Sequence, residues 1–261
     1  MRKSLLLVAV LGAFTASQAV AGEAATEEAA SPHTFTYNLG LYSQYIFRGL
    51  TQTGEEPAIQ GGVDYSHASG FYLGAWGSNI SWLEDYKDGA NVSAYDNSSL
   101  EIDVYGGFRN TIGETGIGYD VGLLQYIYPG DNNDNLVEDA ETTEVYGALS
   151  YKWLQAKVSV VVSDDAWGLA DEDGTTYYEL NANIPIGESG FTGVFHVGRQ
   201  DFQEFDDADY TDWKVGLTKS WSNGVNVGGF YTDTNTKDAA WTIDGGNIGD
   251  EQFTVFVQKT F

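Results

Sequence analysis

From residue 34 to the end of the chain, apolar and polar side chains alternate with a period of two in one segment after another. A strand sends successive side chains to opposite faces, so each such segment has one greasy side and one wet side. The first is the clearest. Over residues 34–48, Phe35, Tyr37, Leu39, Leu41, Tyr45 and Phe47 share one face, while Thr34, Thr36, Asn38, Gly40, Gln44 and Arg48 share the other. The pattern recurs to the last residue and gives about twelve strands, each near the ~9 to 11 residues that a tilted strand needs to cross a bilayer. An even number lets an up-and-down antiparallel barrel close with both termini at one end. After the N-terminal segment no run reaches the ~18 apolar residues of a membrane helix, so any spanning structure in this chain is made of strands.

The connections alternate in length, which a soluble sandwich has no reason to do. Short ones fall at 67–70, 110–115, 152–153, 185–190 and 222–224, and longer ones at 49–57, 81–98, 129–141, 164–174, 201–209 and 235–250. Outer-membrane barrels have short periplasmic turns and longer outside loops. Aromatic residues on the apolar face gather near strand ends. Phe35, Phe71, Phe108, Tyr151, Phe191, Trp221 and Phe261 are expected on the short-turn side, and Phe47, Tyr178, Trp213, Tyr231 and Phe253 on the long-loop side. Two such girdles around an apolar band describe a lipid-facing surface.

Residues 1–21 read as a cleavable export signal, with Arg2 and Lys3 ahead of an apolar stretch and Ala19-Val20-Ala21 as the cleavage site. Residues 22–33 read as a flexible acidic tail, and residues 34–261 as the barrel. The chain ends on Phe261 in phase with Phe253, Val255 and Val257. A terminal aromatic on an alternating last strand has the form of the signal read by the barrel assembly machinery. The expected location is therefore the outer membrane, with its lipid and lipopolysaccharide as surroundings.

The run from Gly40 through Tyr45, Phe47, Arg48 and Gly49 to Gln52, then residues 57–65, then 66–72 and Trp76-Gly77-Ser78-Asn79, resembles the opening of the TorF family. The match is specific in the first three strands and rests on length, Gly and aromatic content and the terminal Phe beyond them. The resemblance implies an outer-membrane barrel of Gram-negative bacteria assigned as a porin, with no catalytic residues to carry over.

If the apolar face meets lipid, the other face lines the interior and sets what passes. By phase, the inward charges are Arg48, Asp64, Glu101, Asp103, Arg109, Asp120, Glu144, Lys157, Glu179, Asp212 and Lys214, seven acids against four bases. Inward by the same phase are Tyr42, Tyr72, Trp76, Tyr105, Tyr126, Tyr128, Tyr146, His196 and Phe256. The long loops add Glu55, Glu56, Asp131, Asp134, Glu138, Asp139, Asp164, Asp165, residues 171–173, Asp206, Asp207 and Asp209. Carboxylates at a mouth concentrate cations and repel anions over a range of about 8 to 10 Å at physiological salt. The alternative reading of these loops is a solvated face that binds divalent ions between lipopolysaccharides. Each inward ring either stacks on a solute or fills space, and Arg48 and Arg109 either guide a solute or pair with a carboxylate.

Thirty-eight Asp and Glu against twelve Lys and Arg give a formal charge of -26, which leaves no basic footprint for a nucleic acid. No Cys is present, so there are no thiolate ligands or nucleophiles. Of three His, only His196 faces the interior, and no nucleophile within its reach is identified by the sequence. Asp131-Asn132-Asn133-Asp134-Asn135 begins like a calcium loop, but Leu136 stands in place of its Gly and Thr142 in place of its final Glu. No cofactor, metal set or catalytic residue is expected. The sequence thus points to passive diffusion of small hydrophilic, neutral or cationic solutes through a narrow polar bore, with an outer-membrane lipid or peptide hydrolase and a closed structural barrel as alternatives.

Overall fold

The computed structural model describes residues 31–87, 93–133 and 136–261. The expected export signal and residues 22–30 of the expected tail lie outside them. Twelve antiparallel strands form one closed barrel. They are β1 (His33–Tyr42), β2 (Ala58–His67), β3 (Phe71–Asn79), β4 (Leu100–Thr111), β5 (Ile117–Ile127) and β6 (Thr142–Tyr151), followed by β7 (Leu154–Val161), β8 (Thr176–Pro185), β9 (Phe191–Asp201), β10 (Tyr210–Ser220), β11 (Val225–Thr234) and β12 (Gln252–Thr260). Each strand pairs with its neighbours in the chain. The seam is closed by β1 and β12, with Leu41 opposite Val257 and Asn38 opposite Thr260. Full closure leaves no unpaired edge, the condition for a sheet to sit in lipid.

The period of two decides the two faces. Phe35, Leu39, Leu41, Leu73, Val121, Leu149, Val158, Leu180, Leu217 and Val255 are exposed on the outside, with Phe71, Tyr151, Trp221 and Phe261 near one rim and Tyr178, Trp213, Tyr231 and Phe253 near the other. Lys219 and Lys259 reach short-turn carbonyls, those of Ser189 and Asn223. Inward positions carry large rings facing glycines: a Cβ at Gly74 or Gly198 would strike the ring of Tyr105 or Tyr177. That is one reason for the abundance of Gly in these strands.

Three expectations are corrected. β1 begins at His33, opposite His67, so the barrel starts one residue earlier than the alternation places it. It ends at Tyr42, not Arg48, because the last pairing with β2 is Tyr42 to Ala58. Tyr45 and Phe47 therefore do not face lipid, and Phe47 is not part of the long-loop girdle. The short connections and both ends of the barrel chain lie at one end, while the long connections rise at the other. Those long loops hold the only α-helices among the described residues, Trp82–Asp85 and Asp238–Trp241. No helix among the described residues is long and apolar enough to cross a membrane.

Candidate functional site

The chain between β1 and β2 folds into the barrel rather than away from it. Ile46 pairs with Thr51 and Phe47 with Leu50, so a small hairpin turns at Arg48 and Gly49. Both turn residues have positive φ, 46° and 83°. A two-residue turn of this hand matches the twist of the flanking strands, and Asn-Gly is its usual sequence. Arginine in the left-handed region is strained, and such residues persist where their surroundings hold them. The tip lies against β10 and β11: a Cβ on Gly49 would sit 2.6 Å from Thr234 Cγ2 and 2.7 Å from Asp212 Cβ. At its base the Ser43 N–H donates to Val255 O at 2.9 Å, and Gln44 Nε2 to Gln252 Oε1 at 3.1 Å.

The hairpin delivers the Arg48 guanidinium to the interior at the long-loop end. Its Nη2 donates to both Glu144 oxygens at 2.8 Å, and its Nη1 to Gln200 Oε1 at 2.9 Å. The guanidinium carbon lies 4.2 Å from the Tyr177 ring centre, 4.8 Å from that of Phe47 and 5.4 Å from that of Trp167. Strands β6, β8 and β9 and the loop carrying Trp167 thus converge on one side chain. Glu144 also accepts from Tyr126 Oη at 3.1 Å. The side chains of Arg48 and Glu144 are only 7% and 1% exposed. A desolvated ion pair of this kind makes a small net contribution relative to apolar packing, but losing one partner strands a buried charge.

Rings fill the space around it. Tyr45 Oη donates to Glu101 Oε1 at 2.7 Å, and its ring packs edge-on against Trp76 at 5.3 Å. Phe47 packs on Tyr126 at 5.6 Å, and Tyr126 on Trp167 at 5.9 Å. Leu50, Phe202, Ala208 and Tyr210 close the other side of the mouth. Away from the mouth, His196 Nε2 lies 2.9 Å from Asp212 Oδ1 and 2.9 Å from Tyr177 Oη, and Nδ1 lies 2.7 Å from Asn181 Oδ1. Lys157 is 3.6 Å from Glu179 and 4.7 Å from the Tyr146 ring centre. Toward the short turns, Tyr72 Oη donates to Asp120 at 2.6 Å, Tyr105 Oη to Asp64 at 2.6 Å, and Arg109 lies over the Tyr72 ring at 4.7 Å.

The charges chosen by phase are distributed unevenly. Glu101, Asp103, Glu144, Lys157, Glu179 and Asp212 are buried, as are Tyr72, Trp76, Tyr105, Tyr126, Tyr128, Tyr146 and Phe256. Asp64, Arg109, Asp120 and Lys214 are only half-buried, as is Tyr42, which stacks on Phe256 at 5.2 Å. Lys214 lies over the Phe230 ring at 5.4 Å. Arg48 is brought to the interior by the hairpin and is not a wall residue. Most of the residues that the sequence assigns to the lining of a narrow bore are thus buried against one another in the long-loop half. Ser159 and Thr254, positions where a watery lumen would accept a charge, are both fully buried. Glu172 is not a mouth acid either: it is buried and accepts hydrogen bonds from the Thr175 hydroxyl and, at 2.8 Å, from the Gln203 N–H. Asp134 lies outside the described residues. Among the described residues no group of three or more His, Asp or Glu is arranged to hold a metal ion.

Sequence reasoning missed Tyr45, Phe47, Trp167, Tyr177 and Gln200. Phase identifies two of these, since Tyr177 precedes outward Tyr178 and Gln200 is four residues beyond inward His196. For Trp167, in the loop between β7 and β8, no periodic signal exists.

Comparison with known proteins adds a family and a fold. Residues 26–261 match the family model Gcw_chp, described as a bacterial protein of unknown function. The name TorF, suggested by the opening motifs, is not the name of this model. No curated protein matches the chain in sequence. Among solved structures, the KdgM porin superposes with a TM-score of 0.51 at 10% identity, over 87% of this chain and 99% of that one. The KdgM porin in complex with disordered oligogalacturonate gives 0.50 at 8% identity, over 87% and 98%. An outer membrane channel from Pseudomonas putida F1 gives 0.51 at 11% identity, over 93% and 100%. At these identities the likeness speaks for the fold, that of outer-membrane barrels.

Proposed function

The chain belongs to the Gcw_chp family, and from that footing we propose that it is an outer-membrane channel for passive diffusion of small hydrophilic solutes, neutral or cationic, closed at its long-loop mouth in the state described. One observation carries this reading. The barrel wall is polar and ionisable inside along its whole length, from Asp64, Arg109 and Asp120 at one end to Glu101 and Glu144 at the other, whereas much of what blocks the mouth is a loop. A purely structural barrel has no need of charges along its inner wall, where apolar packing contributes at least as much stability. A loop, unlike a wall, can move aside. The resemblance to the TorF family and the likeness in fold to the KdgM porin and to the outer membrane channel from Pseudomonas putida F1 point the same way.

The long loops face outward and the short turns face the periplasm in this reading, with the two aromatic rims at the headgroups. Phe253, Val255, Val257 and Phe261, all exposed on the outer face, are the segment offered to the barrel assembly machinery. The excess of inward carboxylates favours cations over anions. A polyanion such as the oligogalacturonate bound by the KdgM porin fits this interior poorly. An enzymatic role has less support, because both ring nitrogens of His196 are already engaged by Asp212, Tyr177 and Asn181. The closed structural barrel is the second reading, and the buried Arg48–Glu144 pair favours it.

Single-channel recording in a planar bilayer separates the two. Beside the wild type stand a variant lacking residues 46–51 and the double substitution Glu101→Gln/Asp103→Asn. Infrequent cation-preferring steps, made frequent by the deletion and less cation-selective by the double substitution, are the expected result. Folded protein that stays silent with and without the hairpin supports the structural barrel.

A further inference from the structure

The structure assigns a second role to the pocket around Arg48: we propose that it is a receptor for solutes bearing a guanidinium group, and that Arg48 is its tethered occupant. This rests on the channel reading and adds to it a ligand class and a means of opening. Besides the Phe47 ring, which the hairpin brings with it, four groups of the barrel and its loops make the pocket. They are the Glu144 carboxylate on β6, the Tyr177 ring on β8, the Gln200 amide on β9 and the Trp167 indole of the loop between β7 and β8. A carboxylate with both oxygens at 2.8 Å, an amide oxygen at 2.9 Å and a ring centre at 4.2 Å match a planar, multiply donating cation. A compact ammonium uses only part of that fit.

The present occupant satisfies the pocket incompletely. Gln200 Nε2 and Trp167 Nε1 are buried donors without an acceptor. Arginine's side chain brings donors alone, so Arg48 cannot satisfy them. A free solute carrying a guanidinium and a carboxylate supplies donors for Glu144 and the Gln200 carbonyl oxygen and brings an acceptor for those N–H groups. Arg48 is also held in the left-handed region, with φ at 46°, strain that departure relieves. Once it leaves, the hairpin loses its deepest anchor, and its tip no longer has to lie against Asp212 and Thr234. The solute thus opens the mouth by replacing a part of the protein that resembles it.

Competition with a tethered group sets the concentration. A short linker holds its ligand at an effective concentration on the order of millimolar, so a free competitor must be offered at about 10 mM. The probe is L-arginine in both chambers of the bilayer. L-citrulline is the control, having the same shape with a neutral urea, and agmatine has the guanidinium without the carboxylate.

The expected result is about a tenfold rise in open probability with L-arginine, a smaller rise with agmatine and none with L-citrulline. Arg48→Ala is expected to be open without any probe and to bind L-arginine at least about tenfold more tightly than wild type by calorimetry, a gain lost in Arg48→Ala/Glu144→Gln. Arg48→Lys keeps the charge if the Ala variant fails to fold, and is expected to open at a lower L-arginine concentration than wild type. Equal responses to L-arginine and L-citrulline, or an unchanged requirement in Arg48→Lys, overturn the receptor while Arg48→Ala still conducts. Silence of folded Arg48→Ala and of the hairpin deletion overturns the receptor and the channel together.

Discussion

Residues 34–42 and 43–48 are adjoining pieces of one alternating run, yet the first is wall and the second, with the connection to residue 57, is plug. In the wall piece each residue has a partner in β2, and those from Asn38 to Tyr42 have one in β12 as well. In the plug piece strand pairing is within the hairpin, Ile46 to Thr51 and Phe47 to Leu50, and single backbone bonds tie it elsewhere, Ser43 N–H to Val255 O and Thr51 N–H to Ile248 O. Alternation reports that a strand has two faces and says nothing of what covers them. Leu39 and Leu41 present their apolar face outward, while Tyr45 and Phe47, in the same phase, turn theirs onto Trp76 and Tyr126.

The largest effect is expected from removing what pins the plug. Arg48→Ala leaves Glu144 buried with only the Tyr126 hydroxyl, and loss of one partner of a buried pair costs about 3 to 5 kcal/mol. The expected outcome is release of residues 43–57 with the barrel intact. Limited proteolysis in micelles should cut that segment in the variant and spare it in the wild type, while the β-sheet circular dichroism stays unchanged. Equal protection in both would mean that ring packing holds the hairpin without the ion pair.

The wall answers to a different force. Val158 is exposed on the outer face of β7, and Arg at the bilayer midplane of a barrel costs about 2 to 4 kcal/mol. Val158→Arg should therefore lower folding stability in lipid vesicles but change little in detergent micelles, where the charge finds water. Its neighbour Ser159 is fully buried in the interior, so Ser159→Asp should destabilise in both media. A vesicle-specific loss at Ser159, or its absence at Val158, would reverse the assignment of faces.

Strand number, closure and the lipid face follow from periodicity and loop length, because every barrel strand obeys the same rule along its outer side. The position of Arg109 opposite Asp120 is a matter of register, whereas Arg48 owes its place to the hairpin and not to phase. How full the interior is does not follow, since that depends on a loop whose residues carry the wall's own pattern. The one local mark of the plug is Arg48-Gly49, a turn dipeptide placed where the alternation ends. Trp167 and Glu172 come from an acidic loop that composition alone assigns to solvent, and the long-range contacts that bury them leave no trace in neighbouring residues.

That dipeptide offers the gentlest test of the comparison. Gly49 has φ at 83°, and its missing Cβ is what lets the tip approach Asp212 and Thr234. Alanine in the left-handed region costs roughly 1 to 2 kcal/mol before any contact is counted. Gly49→Ala should thus loosen the plug by less than Arg48→Ala does, with the ion pair still able to form in part. Proteolysis of residues 43–57 should then be intermediate in rate, and open probability in a bilayer should rise without reaching that of the hairpin deletion. Gly40, by contrast, sits in β1 with the ring of Tyr42 beside it and has no positive φ, so Gly40→Ala strains the wall without touching the plug. Similar effects of the two substitutions on loop proteolysis would mean that wall and plug move as one body. A selective effect at Gly49 would show them to be mechanically separate, as a loop-closed channel requires.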